Sequence, residues 1–453
     1  MFKRITPTLV ALAIGAAAAS LATAPALAAA PPAYFVDETK LPFDALPGVA
    51  STREWGVHNG AGYRIEVPAR WNGKLVMWAH GYRGTGLELT VDDHPLRPLL
   101  LQLGYAWAAS SYSKNAYDPS QGAKDTHALT TFFNGRFGKP GRTYITGASM
   151  GGHVTGIVAE QWPQSYDGAM PICGVLGDYE LFDYFLDFNV AAQTLSGQKK
   201  TYPFAADYLT ATVPATKAAL NAPGVPFPLA PNAAGATFKQ LMQLRSGGVR
   251  PTFDAGWFFW NYLAGDFLFG LGVGDGTLPR QPGVAVQNSD VVYQFDTNPA
   301  QSAAENLFNQ TVQRITADPQ GRRNNGLANV TPTLGDLKIP MLTLHTLGDL
   351  FVPFHMEIEY AQRVKAKGWS HNLVQRATRD VGHCTFSPRE LATTFTDLVK
   401  WVEGGVKPAG DKVLDAAEVA KPDFGCKWTD PSVPRLWDNP QLAFLKPAAC
   451  PAN

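Results

Sequence analysis

Charge is scarce in this sequence and is evenly divided. Asp, Glu, Lys and Arg make up 17% of the 453 residues, and 38 acidic side chains balance 38 basic ones. No basic run is longer than two or three residues. Nucleic acids and anionic membranes are bound by clustered basic side chains. The composition therefore argues against both as partners.

Long apolar runs are also scarce, and the N-terminus is the exception. Met1–Arg4 is basic, an Ala- and Leu-rich run extends from about residue 9 to 24, and small residues follow at 26–28. This order predicts a signal peptide at residues 1–28 and a secreted or periplasmic mature protein. A retained membrane anchor is the alternative, but the run is short for a bilayer span and a cleavage site follows it directly.

Cysteine is rare, and the four cysteines Cys173, Cys384, Cys426 and Cys450 do not have metal-ligand spacing. No nucleotide fingerprint, Gly-rich phosphate loop or metal motif is present either, so we predict no cofactor and no metal. In an oxidising compartment four cysteines allow three disulfide connectivities. Pairing Cys426 with Cys450 would fasten the Pro- and Trp-rich tail and leave Cys173 for Cys384. Free buried thiols at the latter two positions are the alternative.

Buried strands alternate with helical segments on both sides of a long irregular stretch. Apolar runs predict strands at residues 75–79, 105–109, 142–146, 168–172, 340–344 and 372–377. Helical patterns are found at residues 95–103, 150–162, 355–367 and 388–402, and in a segment that Asp125-Thr126 caps and that ends near Phe137. Such alternation indicates the α/β class, with a doubly wound, mostly parallel sheet covered on both faces.

The irregular stretch contains only helical patches and Pro- and Gly-rich loops. We predict a core formed by residues 29–175 and 336–453, interrupted by a large helical cap insertion at 176–335. Its aromatic run contains Trp257, Phe258 and Trp260, which we expect to line an apolar substrate pocket. A plain core helix is the alternative, whereas Asn261 and Asp266 argue against a membrane span.

The segment Gly147-Ala148-Ser149-Met150-Gly151 fits the pattern Gly-x-Ser-x-Gly. In this pattern the serine lies on a strained turn between a strand and a helix, where a side chain at either glycine would clash. A strand is predicted before this segment and a helix after it. Ser149 is therefore the candidate nucleophile.

A serine hydroxyl needs a base, and His383 is the candidate among nine histidines. It follows the last predicted strand in a Gly-containing loop and precedes the final helix. The other histidines precede Ser149, lie too near it on the same helix, or flank other elements, so we expect them to be structural; they are His58, His80, His94, His127, His153, His345, His355 and His371.

The acid that orients the histidine is predicted to be Asp349. It follows the strand at 340–344 and lies 34 residues before His383, which gives the order Ser, Asp, His. Asp178 and Asp183, just after the fourth strand, are the alternatives. Two backbone N–H groups should stabilise the oxyanion, and we expect them from Met150 and from Tyr82 in the His80-Gly81-Tyr82 loop.

Together these residues resemble the α/β-hydrolase superfamily, and the resemblance covers the sheet segments on both sides of the insertion. It implies a Ser149-His383-Asp349 triad, a Tyr82 and Met150 oxyanion hole, and a cap over the site. The loop His80-Gly81-Tyr82 and Gly382-His383-Cys384 also look like those of exported bacterial esterase- and lipase-like members.

Tannases and feruloyl esterases offer a narrower comparison. They too have a cysteine directly after the catalytic histidine, bonded to a cysteine directly before the catalytic serine. Here Cys384 follows His383, but Ala148 precedes Ser149, so that bond cannot form. The comparison implies that Cys173, at the end of the neighbouring strand, could tether the His383 loop instead.

The sequence thus predicts a secreted serine hydrolase that cleaves carboxylic esters through an acyl-enzyme. The low charge and the aromatic insertion favour a small-molecule substrate with an apolar part. A serine peptidase, aminopeptidase or amidase with the same triad is one alternative. A depolymerase of extracellular polyesters is another, although a large insertion favours a covered site. A non-catalytic binding protein that keeps the fold is disfavoured by the presence of all three triad residue types.

Overall fold

A computed structural model describes residues 33–271, 285–318, 322 and 330–451 of the chain. The signal peptide predicted at residues 1–28 lies outside the described residues. From Tyr34 onward the chain forms one unit. Within the described ranges, no helix is both long enough and apolar enough to cross a membrane.

An eight-stranded mixed sheet organises the molecule. In chain order the strands of the structure are β1 (Phe35–Val36), β2 (Ser51–His58), β3 (Ala61–Pro68), β4 (Lys74–Ala79), β5 (Glu88–Leu89), β6 (Ala106–Ser110), β7 (Arg142–Ala148), β8 (Gly168–Ile172), β9 (Met341–Thr346) and β10 (Leu373–Thr378). The order across the sheet is β10-β9-β8-β7-β4-β6-β3-β2, and β1 pairs with β5 separately. From β10 to β6 the strands are parallel, whereas β3 pairs antiparallel with both β6 and β2. The predicted doubly wound, mostly parallel sheet is therefore confirmed.

Side chains of the central strands alternate between two hydrophobic clusters, one on each face of the sheet. In β4, Leu75 and Met77 join the first cluster, while Val76 and Trp78 join the second. Successive side chains of a strand point to opposite faces, so a strand with two apolar faces must be covered on both. This is the physical reason why these strands are continuous apolar runs in the sequence.

Helices cover both faces. In the described residues the α-helices are α1 (Arg97–Gln102), α2 (Pro119–Phe137), α3 (Met150–Gln161), α4 (Glu180–Leu195), α5 (Val213–Ala219), α6 (Ala233–Arg245), α7 (Phe253–Phe258), α8 (Phe267–Gly270), α9 (Ala303–Thr311), α10 (His355–Ala366), α11 (Pro388–Gly404) and α12 (Ala416–Val419). The buried residues of α2 and α3 belong to the first cluster, and those of α1 and α11 belong to the second.

One predicted helix boundary is wrong. Asp125 and Thr126 do not cap a helix but lie inside α2, which begins at Pro119. Asp118 is the N-cap, and its side chain accepts a hydrogen bond from a first-turn N–H. The Asp125 carboxylate instead accepts hydrogen bonds of 2.7 and 2.8 Å from the backbone N–H and the hydroxyl of Ser113. A buried tertiary contact, rather than capping, explains this aspartate.

Between β8 and β9 the described residues form helices, turns and loops, without a further strand. Helices α4 to α9 lie here, together with two π-helical turns at Tyr208–Thr212 and Phe259–Leu263. Buried aromatic residues of this stretch, such as Phe188 and Phe238, belong to the same hydrophobic cluster as α2 and α3. The helical character agrees with the insertion predicted at 176–335, whose boundaries and role as a cap remain a prediction.

The four cysteines form two disulfides. Cys173 pairs with Cys384 and Cys426 with Cys450, with Cα–Cα distances of 5.4 and 5.5 Å. Cys173 directly follows β8, and Cys384 lies in the loop after β10. The first bond therefore connects the ends of two strands that β9 separates, and the second closes the C-terminal segment.

Candidate active site

Ser149 occupies the sharp turn between β7 and α3. Its φ is 59° and its ψ is −122°, a conformation that residues other than glycine rarely adopt. A Cβ on Gly147 would clash with the carbonyl of Gly151, and a Cβ on Gly151 would clash with the carbonyl of Ala79. Both glycines are therefore required by close backbone approach, which is the reason for the Gly-x-Ser-x-Gly spacing.

The structure brings Asp349 and His383 together. Asp349 follows β9 and His383 follows β10, and these neighbouring parallel strands end at the same edge of the sheet. His383 Nδ1 lies 2.6 Å from Asp349 Oδ2. The Asp349 side chain is fully buried, whereas that of His383 is 17% exposed. This arrangement suits a carboxylate that holds the proton of an imidazole on Nδ1 and leaves Nε2 for chemistry.

The loop that carries Asp349 is itself held in place. Asp349 Oδ1 accepts hydrogen bonds from the N–H groups of Phe351 and Val352, at 2.8 and 3.0 Å. Beneath the loop, His345 Nε2 lies 2.8 Å from the Val352 carbonyl, and its Nδ1 lies 3.4 Å from Glu357 Oε1. Burial lowers the pKa of His345, but the Glu357 carboxylate, together with Asp349 and the Val352 carbonyl, outweighs burial and raises the pKa above its ordinary value. A protonated His345 would satisfy both neighbours.

The alternative acids have other partners. Asp178 forms an ion pair with Arg363, and Asp183 forms one with Arg322. In the described part of the chain, neither carboxylate is within hydrogen-bond distance of His383. The geometry therefore favours the acid predicted after β9.

The Cys173–Cys384 disulfide adjoins both Ser149 and His383. The Ser149 N–H donates to the carbonyl of Ile172, the residue before Cys173, at 3.1 Å. His383 Nε2 lies 3.5 Å from Cys384 Sγ. No hydrogen bond joins Ser149 Oγ to His383 within the described residues, and such bonds are often long in substrate-free sites. The two sulfurs and the imidazole lie within 4.8 Å of one another, but the sulfurs are bonded together and are not free thiolates for a metal.

The loop after β4 passes directly over the nucleophile. A Cβ on Gly81 would lie 3.2 Å from the Cβ of Ser149. His80 is buried, with its ring nitrogens 2.6 Å from the Gly81 carbonyl and 2.9 Å from the Ser111 carbonyl, and its ring stacks on Tyr112 at 3.9 Å. Burial is the main cause that lowers the pKa of His80 to about 4. These contacts indicate that His80 shapes this loop.

The two predicted oxyanion donors both lie next to residues at the nucleophile: Met150 follows Ser149, and Tyr82 follows Gly81, whose added Cβ would lie 3.2 Å from the Ser149 Cβ. Met150 is the first residue of α3, where helix geometry leaves backbone N–H groups without an intrahelical acceptor. Tyr82 follows Gly81 in the loop over the nucleophile, and its ring packs against the first hydrophobic cluster. The arrangement is compatible with two N–H groups that converge on one oxygen, and their role remains a prediction.

A group of aromatic rings extends from the imidazole, and the sequence reasoning missed all of them except Trp260. Phe351 contacts His383 edge-on at 5.0 Å between ring centroids. Phe185 and Phe267 contact Phe351 at 6.0 and 5.0 Å, and Trp260 does so at 6.2 Å. We call Phe185, Trp260, Phe267 and Phe351 the aromatic wall. Position 351, two residues after the predicted acid, was the available signal, whereas Phe185 and Phe267 come from distant helices.

The predicted pocket residues occupy different surroundings. Trp257 is buried against other rings of the inserted helices, including Phe238 at 5.4 Å. Phe258 packs against Phe444 of the C-terminal segment at 5.8 Å. Trp260 alone of the three belongs to the aromatic wall. The role of Trp257 and Phe258 in substrate binding therefore stays a prediction.

Comparisons with known proteins find distant similarities. No family model matches the chain. The o-phthalyl amidase of Xanthobacter agilis is 22% identical over 418 residues, which cover 80% of this chain and 89% of that protein. Feruloyl esterase B from Aspergillus oryzae gives a TM-score of 0.44 at 12% identity and covers 84% of this chain and 86% of its own. An acylaminoacyl peptidase from Pyrococcus horikoshii gives 0.37 at 11% identity, covering 82% of this chain and 44% of its own.

These identities and scores are too low to assign a substrate. What the chain shows by itself is the strand order, the strained serine turn after β7, and an acid and a base after the last two strands.

Proposed function

We propose that this chain, which has the α/β-hydrolase fold, is a serine hydrolase that cleaves carboxylic esters. The observation that carries the proposal is the 2.6 Å contact between His383 Nδ1 and Asp349 Oδ2, at the sheet edge where the strained Ser149 turn also lies. The chain order Ser, Asp, His is the order that this fold uses. Ser149 is the proposed nucleophile, His383 the base and Asp349 the orienting acid.

In the proposed reaction, His383 Nε2 takes the proton of Ser149 as the serine oxygen attacks the ester carbonyl carbon. The N–H groups of Met150 and Tyr82 stabilise the resulting oxyanion, and the buried Asp349 carboxylate stabilises the imidazolium. The intermediate then expels the alcohol, which takes the proton from His383, and leaves an acyl-enzyme. Water repeats the sequence, releasing the acid and restoring Ser149.

The aromatic wall supports a substrate with an apolar or aromatic part. Phe351 contacts the His383 imidazole, and Phe267 is 38% exposed. The aromatic wall therefore forms an apolar surface that extends from His383 toward solvent. An ester group held at Ser149 would place a neighbouring apolar group against these rings, where burial of a phenyl-sized group is favourable by about 2 kcal/mol.

An amidase that uses the same triad is the second candidate, because the curated relative is named an o-phthalyl amidase. An ester and an anilide of the same aromatic acid separate the two candidates. An esterase would hydrolyse the ester with the higher kcat/KM, and an amidase would hydrolyse the anilide at least as well.

The two disulfides also support the predicted export to an oxidising compartment.

The test of the proposed nucleophile is Ser149→Ala, with Ser370→Ala on an exposed turn as the control. We expect Ser149→Ala to lower kcat on p-nitrophenyl esters by about 10⁴-fold or more and to abolish labelling by a fluorophosphonate. Ser370→Ala should change neither. Unchanged turnover in Ser149→Ala would refute the proposed role.

The assignment of the acid has its own comparison. Asp349→Asn should lower kcat by about 10⁴-fold, because the amide favours the wrong imidazole tautomer. Asp178→Asn, measured per folded molecule, should retain kcat within about threefold, since that carboxylate pairs with Arg363. The reverse result would transfer the role to Asp178.

A further inference from the structure

We infer that Trp260 is a positioning residue that holds two loops of the proposed triad at a fixed separation. These are the loop that carries Asp349, which we call the acid loop, and the loop that carries His383, which we call the base loop. The inference rests on the proposed function and adds a residue of the insertion to it. Trp260 contacts neither Asp349 nor His383 by a side-chain hydrogen bond. It acts on the backbone next to each of them.

A single indole N–H serves both loops. Trp260 Nε1 lies 2.9 Å from the carbonyl of Val381 and 3.2 Å from the carbonyl of Gly348. Val381 is two residues before His383, and Gly348 directly precedes Asp349. The side chain is buried, with 6% of Trp260 exposed. The shared donor therefore fixes the separation of two backbone segments whose side chains must meet within 2.6 Å.

The two loops are already in backbone contact, so small displacements matter. The Gly348 N–H donates to the Asp380 carbonyl at 2.8 Å, and Thr346 Oγ1 donates to the Gly382 carbonyl at 2.8 Å. A Cβ on Gly348 would lie 2.6 Å from the Asp380 carbonyl oxygen. Trp260 adds the link that comes from outside the two loops and holds them from the side of the insertion.

The segment that carries Trp260 packs directly against the acid loop. A Cβ on Gly256 would clash with the Gly348 carbonyl, so helix α7 approaches the loop at backbone distance. The buried Arg250 donates from Nε to the Leu347 carbonyl at 2.6 Å. Residues 250–260 therefore pack directly against the acid loop. This part of the predicted insertion could move away only by breaking the contacts that hold the loop of Asp349.

Loss of the indole N–H should act on chemistry more than on binding. When the loops loosen, the Asp349–His383 contact lengthens and the imidazolium that forms during the reaction loses stabilisation. A misplacement of about 1 Å can cost about 100-fold in rate. The signature is a lower kcat with a nearly unchanged KM, because phenylalanine keeps an aromatic ring in the aromatic wall.

The experiment compares Trp260→Phe with Trp71→Phe. Both variants replace an indole whose N–H donates to a backbone carbonyl, and Trp71 Nε1 donates to the Lys74 carbonyl at 2.8 Å. Trp71 precedes β4, at the end of that strand remote from Ser149. We expect kcat to fall about 10- to 100-fold in Trp260→Phe, with KM nearly unchanged, and to stay within about threefold in Trp71→Phe. Equal kcat in the two variants would overturn the inference.

A readout without turnover separates this inference from the proposed function. In a Ser149→Ala background, the proton NMR resonance of the His383 Nδ1–H reports its hydrogen bond to Asp349. We expect Trp260→Phe to move or broaden that resonance and Trp71→Phe to leave it in place. An unchanged resonance in both would refute the positioning role, whereas an active Ser149→Ala protein would refute the proposed nucleophile and leave the NMR comparison standing.

Discussion

At the residue scale, strained backbone occurs at the candidate site. Among the described residues, seven residues other than glycine have a positive φ, and three of them, Ser149, Cys173 and Cys384, lie at the site with φ values of 59°, 44° and 57°. Residues other than glycine persist in this region only where their neighbours over-determine the conformation. The sequence pattern could predict the strain at Ser149, because flanking glycines reveal it. The positive φ at the two cysteines is not apparent from the sequence pattern around them.

The buried His345–Glu357 pair predicts a pH dependence of stability. An imidazole whose folded pKa is raised stabilises the fold fully below its unfolded value of about 6.5, and this contribution is lost as the pH rises through the folded pKa. The free energy of unfolding of the wild type should therefore exceed that of His345→Gln by more at pH 6 than at pH 9.

Urea denaturation of both proteins across this range measures the difference. Ser370→Ala, which removes no titratable group and lies on an exposed turn, is the control and should show no such trend. A pH-independent difference for His345→Gln would mean that His345 is neutral in the folded protein.

At the element scale, the sequence predicts the parallel strands well and the antiparallel edge poorly. Strands β4, β6, β7, β8, β9 and β10 lie within two residues of their predicted positions because both of their faces are apolar. The hairpin β2–β3 was missed, although Asn59-Gly60 between two strands is a turn signal. Its outer strand is half exposed and lacks an apolar run.

The sequence predicted Trp260 as a pocket residue. The type of a side chain indicates that it is apolar, but it does not show which group accepts a hydrogen bond from the indole N–H.

The two disulfides join elements of different importance, which predicts different effects of removing them. Replacing Cys173 and Cys384 by alanine releases the His383 loop from the end of β8, and we expect kcat to fall about 10-fold or more. Replacing Cys426 and Cys450 by alanine should leave kcat within about twofold. Steady-state kinetics on a p-nitrophenyl ester, measured on folded protein at low temperature, compares the two variants.

Both variants should lose stability, and by unequal amounts. The bonds close segments with sequence separations of 211 and 24 residues, for which chain entropy gives about 5 and about 3 kcal/mol. The midpoint temperature of thermal unfolding should therefore fall further in the variant that lacks Cys173 and Cys384. Equal kinetics in the two variants would show that the first disulfide only stabilises the fold.

At the scale of the whole molecule, the helices between β8 and β9 share one hydrophobic core with the sheet. Phe188 of α4 packs against Phe238 and Phe269 of the same stretch, and all three belong to the cluster that covers one face of the sheet. We therefore expect these helices and the sheet to unfold together. Phe188→Ala should lower the free energy of unfolding by about 3 to 5 kcal/mol.

Near-ultraviolet circular dichroism and residual turnover of the p-nitrophenyl ester, followed on heating, should then fall together in Phe188→Ala and at a lower temperature than in the wild type. Phe444→Ala removes a ring that is 72% exposed and should change the free energy of unfolding by less than about 0.5 kcal/mol. If activity is lost at a temperature well below that at which the circular dichroism signal is lost, the helices between β8 and β9 unfold separately from the sheet.

The chain order of the proposed site bears on how the protein is made. During synthesis Ser149 emerges 200 residues before Asp349, and the stretch that holds Trp260 emerges between them. A nascent or truncated chain therefore carries the nucleophile without its base. The bond from Cys173 to Cys384 closes only after the base has emerged and only where thiols are oxidised. The proposed hydrolase would thus stay inert during translation, and closure of this disulfide would be the last covalent step in assembly of the proposed site.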